Sequence, residues 1–155
     1  MKKILFVCLG NICRSPLAEG LFKQKVQEQG LKTQFKADSC GTSDYHIGET
    51  PDERTAQNAL ENGLKLNHRG RQFTYDDFKQ FDYILAMDRS NFEHILSQSK
   101  TEKDRAKVAL IRDYESEENL KGTDIPDPYY GGAEGFQKVY DMLNRCTENL
   151  LNSLK

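Results

Sequence analysis

The sequence predicts an α/β sandwich built on a parallel sheet. Three observations carry that prediction. Short apolar runs rich in strand formers recur along the chain, helical patterns separate them, and the first run passes through a tight loop straight into a helix start. "KILFVCL", "DYILAM" and "KVALI" are apolar at nearly every position. That is the pattern of strands buried on both faces, as in a parallel sheet.

Taken in order, "KILFVCL" (Lys3–Leu9) is the first strand, broken by Gly10 and Asn11. Ser15-Pro16 reads as a helix start, with Ser as N-cap and Pro at the first helical position. Ala18, Phe22 and Val26 mark the buried side of this helix, and Gly30 is its stop. "TQFKADSCGT" (Thr33–Thr42) is a second strand. A helix follows over Pro51–Gly63, and "TYDDFKQF" holds a short helical turn capped by Thr74. The strand Asp82–Met87 leads through Asp88, a helix N-cap, into "RSNFEHILSQ". Lys107–Ile111 is a further strand, and Gly122–Gly132 is a turn-rich loop. From Glu134 onward, Phe136, Val139, Tyr140, Leu143, Cys146, Leu150 and Leu154 form a helical stripe.

The 155 residues suggest one domain, spanning 1–155, with enough core to stand without disulfides. A net charge of −2 gives no general affinity for nucleic acid or an anionic membrane. The apolar run after Lys2 and Lys3 is too short for a secretory signal, and none approaches the ~18 residues of a membrane span. A cytoplasmic location is therefore expected, with the four cysteines reduced. No paired Cys or His cluster completes a zinc set, so no metal is expected.

The chemistry concentrates in "VCLGNICRSP", where Cys8, five residues, Arg14 and Ser15 span a strand-to-helix junction. A helix N-terminus offers N–H groups and partial positive charge to an anion. A loop of Leu9, Gly10, Asn11, Ile12 and Cys13 can aim further N–H groups at one point. Gly10 and Asn11 are the residue types that most readily take positive φ. Arg14 adds a planar fork for two phosphate oxygens. The loop is therefore a cradle for a tetrahedral dianion, with Cys8 at its floor. Helix N-termini and nearby Arg favour the thiolate, so Cys8 is a candidate nucleophile that would form a phosphocysteine. The bland reading of Cys8 is a core cysteine at a strand end. A Walker-type loop is excluded because no Gly-Lys-Ser/Thr follows, and a dinucleotide loop because the glycine spacing is absent.

An ester leaving group needs a proton, and "IPDPYYGG" offers Asp127 held between two prolines. Tyr129 and Tyr130 follow, suited to wall a slot for an aromatic ring. In parallel sheets such loops gather beyond the carboxyl ends of the strands, which brings the Asp127 loop towards Cys8. His46 and His94 read as solvated, and Cys146 as core.

"VCLGNICRSP" together with "DPYYGG" resembles the low-molecular-weight protein tyrosine phosphatases. "DSCGTSDYHIGE" and "FDYILAMDRSN" extend the likeness over nearly the whole chain. The resemblance implies a three-layer α/β sandwich with a four-stranded parallel sheet and the phosphate-binding loop after strand 1. It implies no metal or organic cofactor, phosphotyrosine proteins as substrates, and phosphate or vanadate as inhibitors. It makes Cys8 the nucleophile, Arg14 the phosphoryl ligand and Asp127 the general acid and later base. Ser15 would stabilise the Cys8 thiolate, Asn11 would shape the loop, and Ser39 and His68 would support it. Tyr45 and Tyr129 would flank the substrate ring, and Cys13 could pair reversibly with Cys8 under oxidation. Cys40 departs from the family's usual Ala and is expected as a small buried residue. Arsenate reductase on the same fold is disfavoured, since no cysteine lies between Cys40 and Cys146. A protein-arginine phosphatase is disfavoured by Ile12 and Tyr129, where that type has Thr and Phe. A binding module without activity would need no acid such as Asp127.

Overall fold

Strand β1 (Lys2–Cys8) sends alternate side chains into two separate apolar layers. Ile4, Phe6 and Cys8 enter one, and Leu5 and Val7 the other. Both faces are covered, which is why the run is apolar without alternation. The computed structural model describes residues 1–130 and 132–155, and Tyr130 only through its backbone. In it β1 is the interior partner of β2 (Phe35–Gly41) and β3 (Tyr83–Ala86), and β3 pairs with β4 (Val108–Leu110). All pairs are parallel, in the order β2-β1-β3-β4.

Helices α1 (Arg14–Glu28) and α6 (Ala133–Leu154) pack against each other and against the Phe6 face, joined there by Ala59 of α2 (Glu53–Glu61). The Val7 face is covered by α3 (Asp77–Gln80) and α4 (Arg89–Gln98), through Phe78 and Ile95. The three-layer sandwich on four parallel strands is therefore as expected. Fully buried Phe6, Phe22 and Phe78 each contribute roughly 2–3 kcal/mol of hydrophobic stabilisation. The α6 stripe is buried from Phe136 through Leu154, including Cys146, and Cys40 is buried in the other layer.

Several boundaries differ from the expectation, each for a local reason. Helix α1 starts at Arg14, with Cys13 as N-cap and no side-chain cap bond. Ser15 is thus inside the first turn, where its hydroxyl turns to Cys8 instead of capping. Pro16 is third in the helix, still among the positions whose N–H has no partner within the helix. The second helix is shorter than Pro51–Gly63, because the Asp52 carboxylate caps it by accepting from Arg54 N–H. Thr74 does not cap α3; Asp77 instead accepts from the Thr74 N–H. Helix α5 (Glu102–Ala106), closed by a Thr101–Asp104 capping box, was not foreseen.

The strand order sets the site. The chain leaves β1 for β2 on one side, while β3 lies on the other, so a crevice opens beyond the ends of β1 and β3. The Met87 N–H donates to Val7 O, and the Ile125 N–H donates to Met87 O. That second bond brings the 122–127 loop to the mouth of the crevice. Gly41, the last residue of β2, makes close approach possible. A Cβ there would lie 2.7 Å from Leu9 O and 3.1 Å from Asn11 N. Gly41→Ala is expected to destabilise the protein by about 1–3 kcal/mol, since backbone must move to admit the methyl group. Urea unfolding measures this, and a change below about 0.5 kcal/mol would contradict it.

Candidate active site

The loop after β1 turns back on itself at Asn11, which adopts φ 58°. This is the sole non-Gly residue with positive φ among those described, and Asn is a type that tolerates it. Gly10 does not share that conformation, contrary to the reading of it as a positive-φ residue. Its requirement is steric: a Cβ would fall 2.9 Å from Cδ2 of His46. The carbonyls of the loop are taken up by its surroundings. Thr42 N–H donates to Cys8 O, Ser43 N–H to Leu9 O, and Asp52 N–H to Ile12 O.

Donors gather on the Cys8 sulfur. The Asn11 N–H lies 3.3 Å from Sγ, and the Ser15 hydroxyl 3.0 Å. Ser15 Oγ accepts from Asn11 Nδ2 at 2.8 Å, so its own hydrogen is directed to Cys8 Sγ or to Cys40 O at 3.3 Å. The nearer contact is the sulfur. Cys13 lies beside the same cavity as Cys8. Burial pushes its thiol up to about 12, so it stays protonated at neutral pH. Both thiols border one cavity of about 210 Å³ and neither is in a disulfide.

Arg14 is 3% exposed, yet none of its charge is stranded. Nη1 donates to Asp88 Oδ2 at 2.7 Å and to Ile125 O at 2.9 Å, and Nη2 lies 3.7 Å from Asp127 Oδ2. Burial pulls the guanidinium down, but the Cys8 sulfur, Asp88 and Asp127 outweigh it and hold it above its ordinary value. Asp88 accordingly has two tasks. Oδ1 caps α4 through Asn91 N–H, as expected, while Oδ2 fixes the plane of Arg14. The Asp127 side chain is 41% exposed at the rim, with Oδ1 accepting from Tyr129 N–H at 3.0 Å.

Asn11 anchors the cradle to the elements behind it. Nδ2 donates to Ser15 and Ser39, and Oδ1 accepts from Arg71 N–H at 3.0 Å and from His68 Nε2 at 2.7 Å. All four of its amide bonding positions are thus filled. Ser39, fully buried, passes its hydrogen to Glu19 Oε1, and His68 Nδ1 lies 3.2 Å from the same oxygen. Burial lowers the His68 imidazole, with Glu19 and then Asp38 pulling the other way. Glu19, Asp38 and His68 cluster closely enough to hold an ion. Lys23 and Arg71 already pair with the two carboxylates.

The family model described as low molecular weight phosphotyrosine protein phosphatase matches residues 3–155. This chain belongs to that family. A Schizosaccharomyces pombe relative named low molecular weight phosphotyrosine protein phosphatase is 46% identical, covering 98% of this chain and 96% of its own. The crystal structure of a protein tyrosine phosphatase from Entamoeba histolytica superposes with a TM-score of 0.93 at 40% identity. It covers 99% of this chain and 97% of its own. A Drosophila arginine phosphatase structure reaches a TM-score of 0.90 at 36% identity, covering 100% of this chain and 98% of its own.

In this member of the phosphatase family, the cavity brings together Cys8, Leu9, Gly10, Ile12, Cys13, Arg14, Asp127, Tyr45 and Tyr129. Asn11, Ser15, Ser39 and His68 form the layer behind. Tyr130 was expected as a wall, but its side chain lies outside the described residues. His46, expected in solvent, also lines the cavity, with Nδ1 2.9 Å from Glu49 Oε2. His94 is exposed on α4 as expected. Residues missed by sequence reasoning are Asp88 as a partner of Arg14, Glu19, His46, and Arg54, whose guanidinium sits 5.0 Å over the Tyr129 ring. A larger cavity of about 700 Å³ between α2 and the start of α6 contains none of the loop residues. Asn11→Ala is expected to cost about 2–4 kcal/mol, from strain at positive φ and from buried groups left unpaired. Thermal or urea unfolding reads it, and a neutral effect would contradict the anchoring role.

Proposed function

We propose that the protein hydrolyses phosphotyrosine in proteins through a phosphocysteine on Cys8. One observation carries this reading: donors converge on the Cys8 sulfur at the floor of a cavity onto which Arg14 and Asp127 also open. The phosphoryl group of the ester sits in the loop, its charge met by the Arg14 fork and the first turn of α1. The thiolate attacks phosphorus, forming an S–P bond as the P–O bond to the tyrosine breaks. Asp127 gives its proton to the departing phenol oxygen. The resulting carboxylate then takes a proton from water, which attacks phosphorus and releases phosphate and the thiolate. Ser15 supports the thiolate in both halves, and Asn11, Ser39 and His68 hold the loop. Cys13, protonated and beside the same cavity, is the partner for Cys8 under oxidation.

A phosphoarginine substrate is the alternative, since one similar structure is an arginine phosphatase. Ile12 argues against it here. It is 8% exposed, packs with Cys13 and Phe136, and offers the cavity no hydroxyl. Tyr45 and Tyr129 at the mouth favour a flat aryl group. The same reading takes inorganic phosphate and vanadate as competitive inhibitors and a cytoplasmic location, with no nucleic-acid or membrane partner. It is supported by the small net charge, and no helix among the described residues is long and apolar enough to cross a membrane.

Cys8→Ser is expected to abolish turnover of aryl phosphates while phosphate still binds; near-normal turnover would remove Cys8 from the nucleophile's role. Asp127→Ala should lower kcat/KM by roughly 100-fold or more for phosphotyrosine and far less for an activated phenol ester. An equal loss on both esters would show that Asp127 is not the acid.

A further inference from the structure

Outside the cradle, the described residues hold one buried ion network that points at the acid loop. Arg112 lies in the 3₁₀ turn Ile111–Tyr114 that follows β4. It is 7% exposed. Its Nε donates to Glu115 Oε2 at 3.0 Å, and its Nη1 donates to the Asp124 carbonyl at 3.0 Å. Glu115 is itself buried, and Arg145 of α6 closes on it from the other side at 3.1 and 3.3 Å. Burial alone would raise the Glu115 carboxyl; its bonds to Arg145 and Arg112 hold it below the usual range. The charge on Arg112 is thereby oriented, with Nη1 turned to a carbonyl three residues before Asp127.

The loop between Asp124 and Asp127 has few other holds. Asp124 Oδ1 accepts from Arg89 N–H, Ile125 N–H donates to Met87 O, and Ile125 O accepts from Arg14. Pro126 and Pro128 then carry Asp127 as a stiff extension of that anchored segment. The hold on the Asp124 carbonyl therefore helps to set the path on which this segment carries the acid. A misplacement of about 1 Å at a reacting group can cost on the order of 100-fold in rate.

We propose that Arg112, locked by Glu115 and Arg145, is a positioning residue that sets the placement of Asp127 for proton transfer. This rests on the reading of Asp127 as the general acid. It predicts a particular kinetic signature. The acid matters for a poor leaving group such as tyrosine and little for p-nitrophenol, which departs as its anion. The phosphate cradle contains neither Arg112 nor Glu115, so phosphate affinity should not follow the loss.

The test is Arg112→Met in the full chain, with kcat/KM measured on phosphotyrosine and on p-nitrophenyl phosphate. Inhibition by inorganic phosphate and the melting temperature are measured alongside. The expected result is a drop of about tenfold on phosphotyrosine, less than about threefold on the nitrophenyl ester, and an unchanged inhibition constant for phosphate. Arg112→Lys should recover part of the phosphotyrosine loss. Arg145→Met, at a half-exposed helix position, should show the same bias in smaller measure, and it keeps the test open if Arg112→Met does not fold. Equal losses on the two esters, or no loss in a folded variant, would overturn the proposal. Turnover of both esters by the unaltered protein reports on the phosphatase reading itself, and the ratio between esters reports on the clamp.

Discussion

Asn11 holds the backbone turn on which the site depends. Five residues must pass from the end of a buried strand to the start of a helix while curling around one sulfur atom. That path needs a left-handed residue, which an L side chain enters at an energetic penalty. Here the penalty is offset by four amide hydrogen bonds, to Ser15, Ser39, His68 and Arg71. The four partners come from three separate parts of the chain: the first turn of α1, the strand β2, and the segment following α2, which supplies both His68 and Arg71. The cradle is thus not a local loop motif alone. It is held in shape by the packing of β2 against β1 and by Gly41, whose missing Cβ lets the two approach.

Arg14 joins this cradle to the opposite half of the site. Its guanidinium is buried and borders the cavity. Asp88 and the Ile125 carbonyl fix its orientation through Nη1, and Asp127 stands off Nη2 at 3.7 Å. Arg14 therefore also grips the segment that carries Asp127. Preorganised charge of this kind needs no rearrangement during the reaction, and it acts more strongly when shielded from water. The contrast between the two cavity cysteines follows from the same geometry. Both are buried, but the Asn11 N–H and the Ser15 hydroxyl meet the Cys8 sulfur, whereas burial dominates at Cys13 and holds its thiol neutral.

Much of this could be read in the chain because it is written locally. The strand runs declare themselves by composition, and Cys8, Arg14, Ser15 and Pro16 are separated by a spacing that has meaning at a strand-to-helix junction. Asp127 between two prolines is equally legible. The rest depends on long-range convergence. Asp88 looks like a helix cap from sequence, and it is one; its second oxygen acquires a partner only because β1 and β3 are neighbours. Glu19 sits on an ordinary helical pattern, and nothing in its neighbourhood marks it as facing Ser39 and His68. His46 lies in a polar loop, and only the fold turns that loop over Gly10. Ser15 is a natural cap by residue type, whereas the helix begins at Arg14, two residues before the expected start at Pro16, and leaves the hydroxyl for the sulfur. Arg112 and Glu115 carried no signal, since a charged i,i+3 pair usually lies on a solvated face, and here it is buried.

The central claim is that the sulfur of Cys8 takes up the phosphoryl group. The most direct measurement is acid-quenched mass spectrometry of the Asp127→Ala protein during turnover of p-nitrophenyl phosphate, whose leaving group departs without the acid. Slowed hydrolysis of the intermediate should let it accumulate, and peptide mapping should find one phosphoryl group on Cys8. A phosphoryl group on any other residue, or turnover with no covalent adduct under conditions where the adduct is stable, would contradict the account.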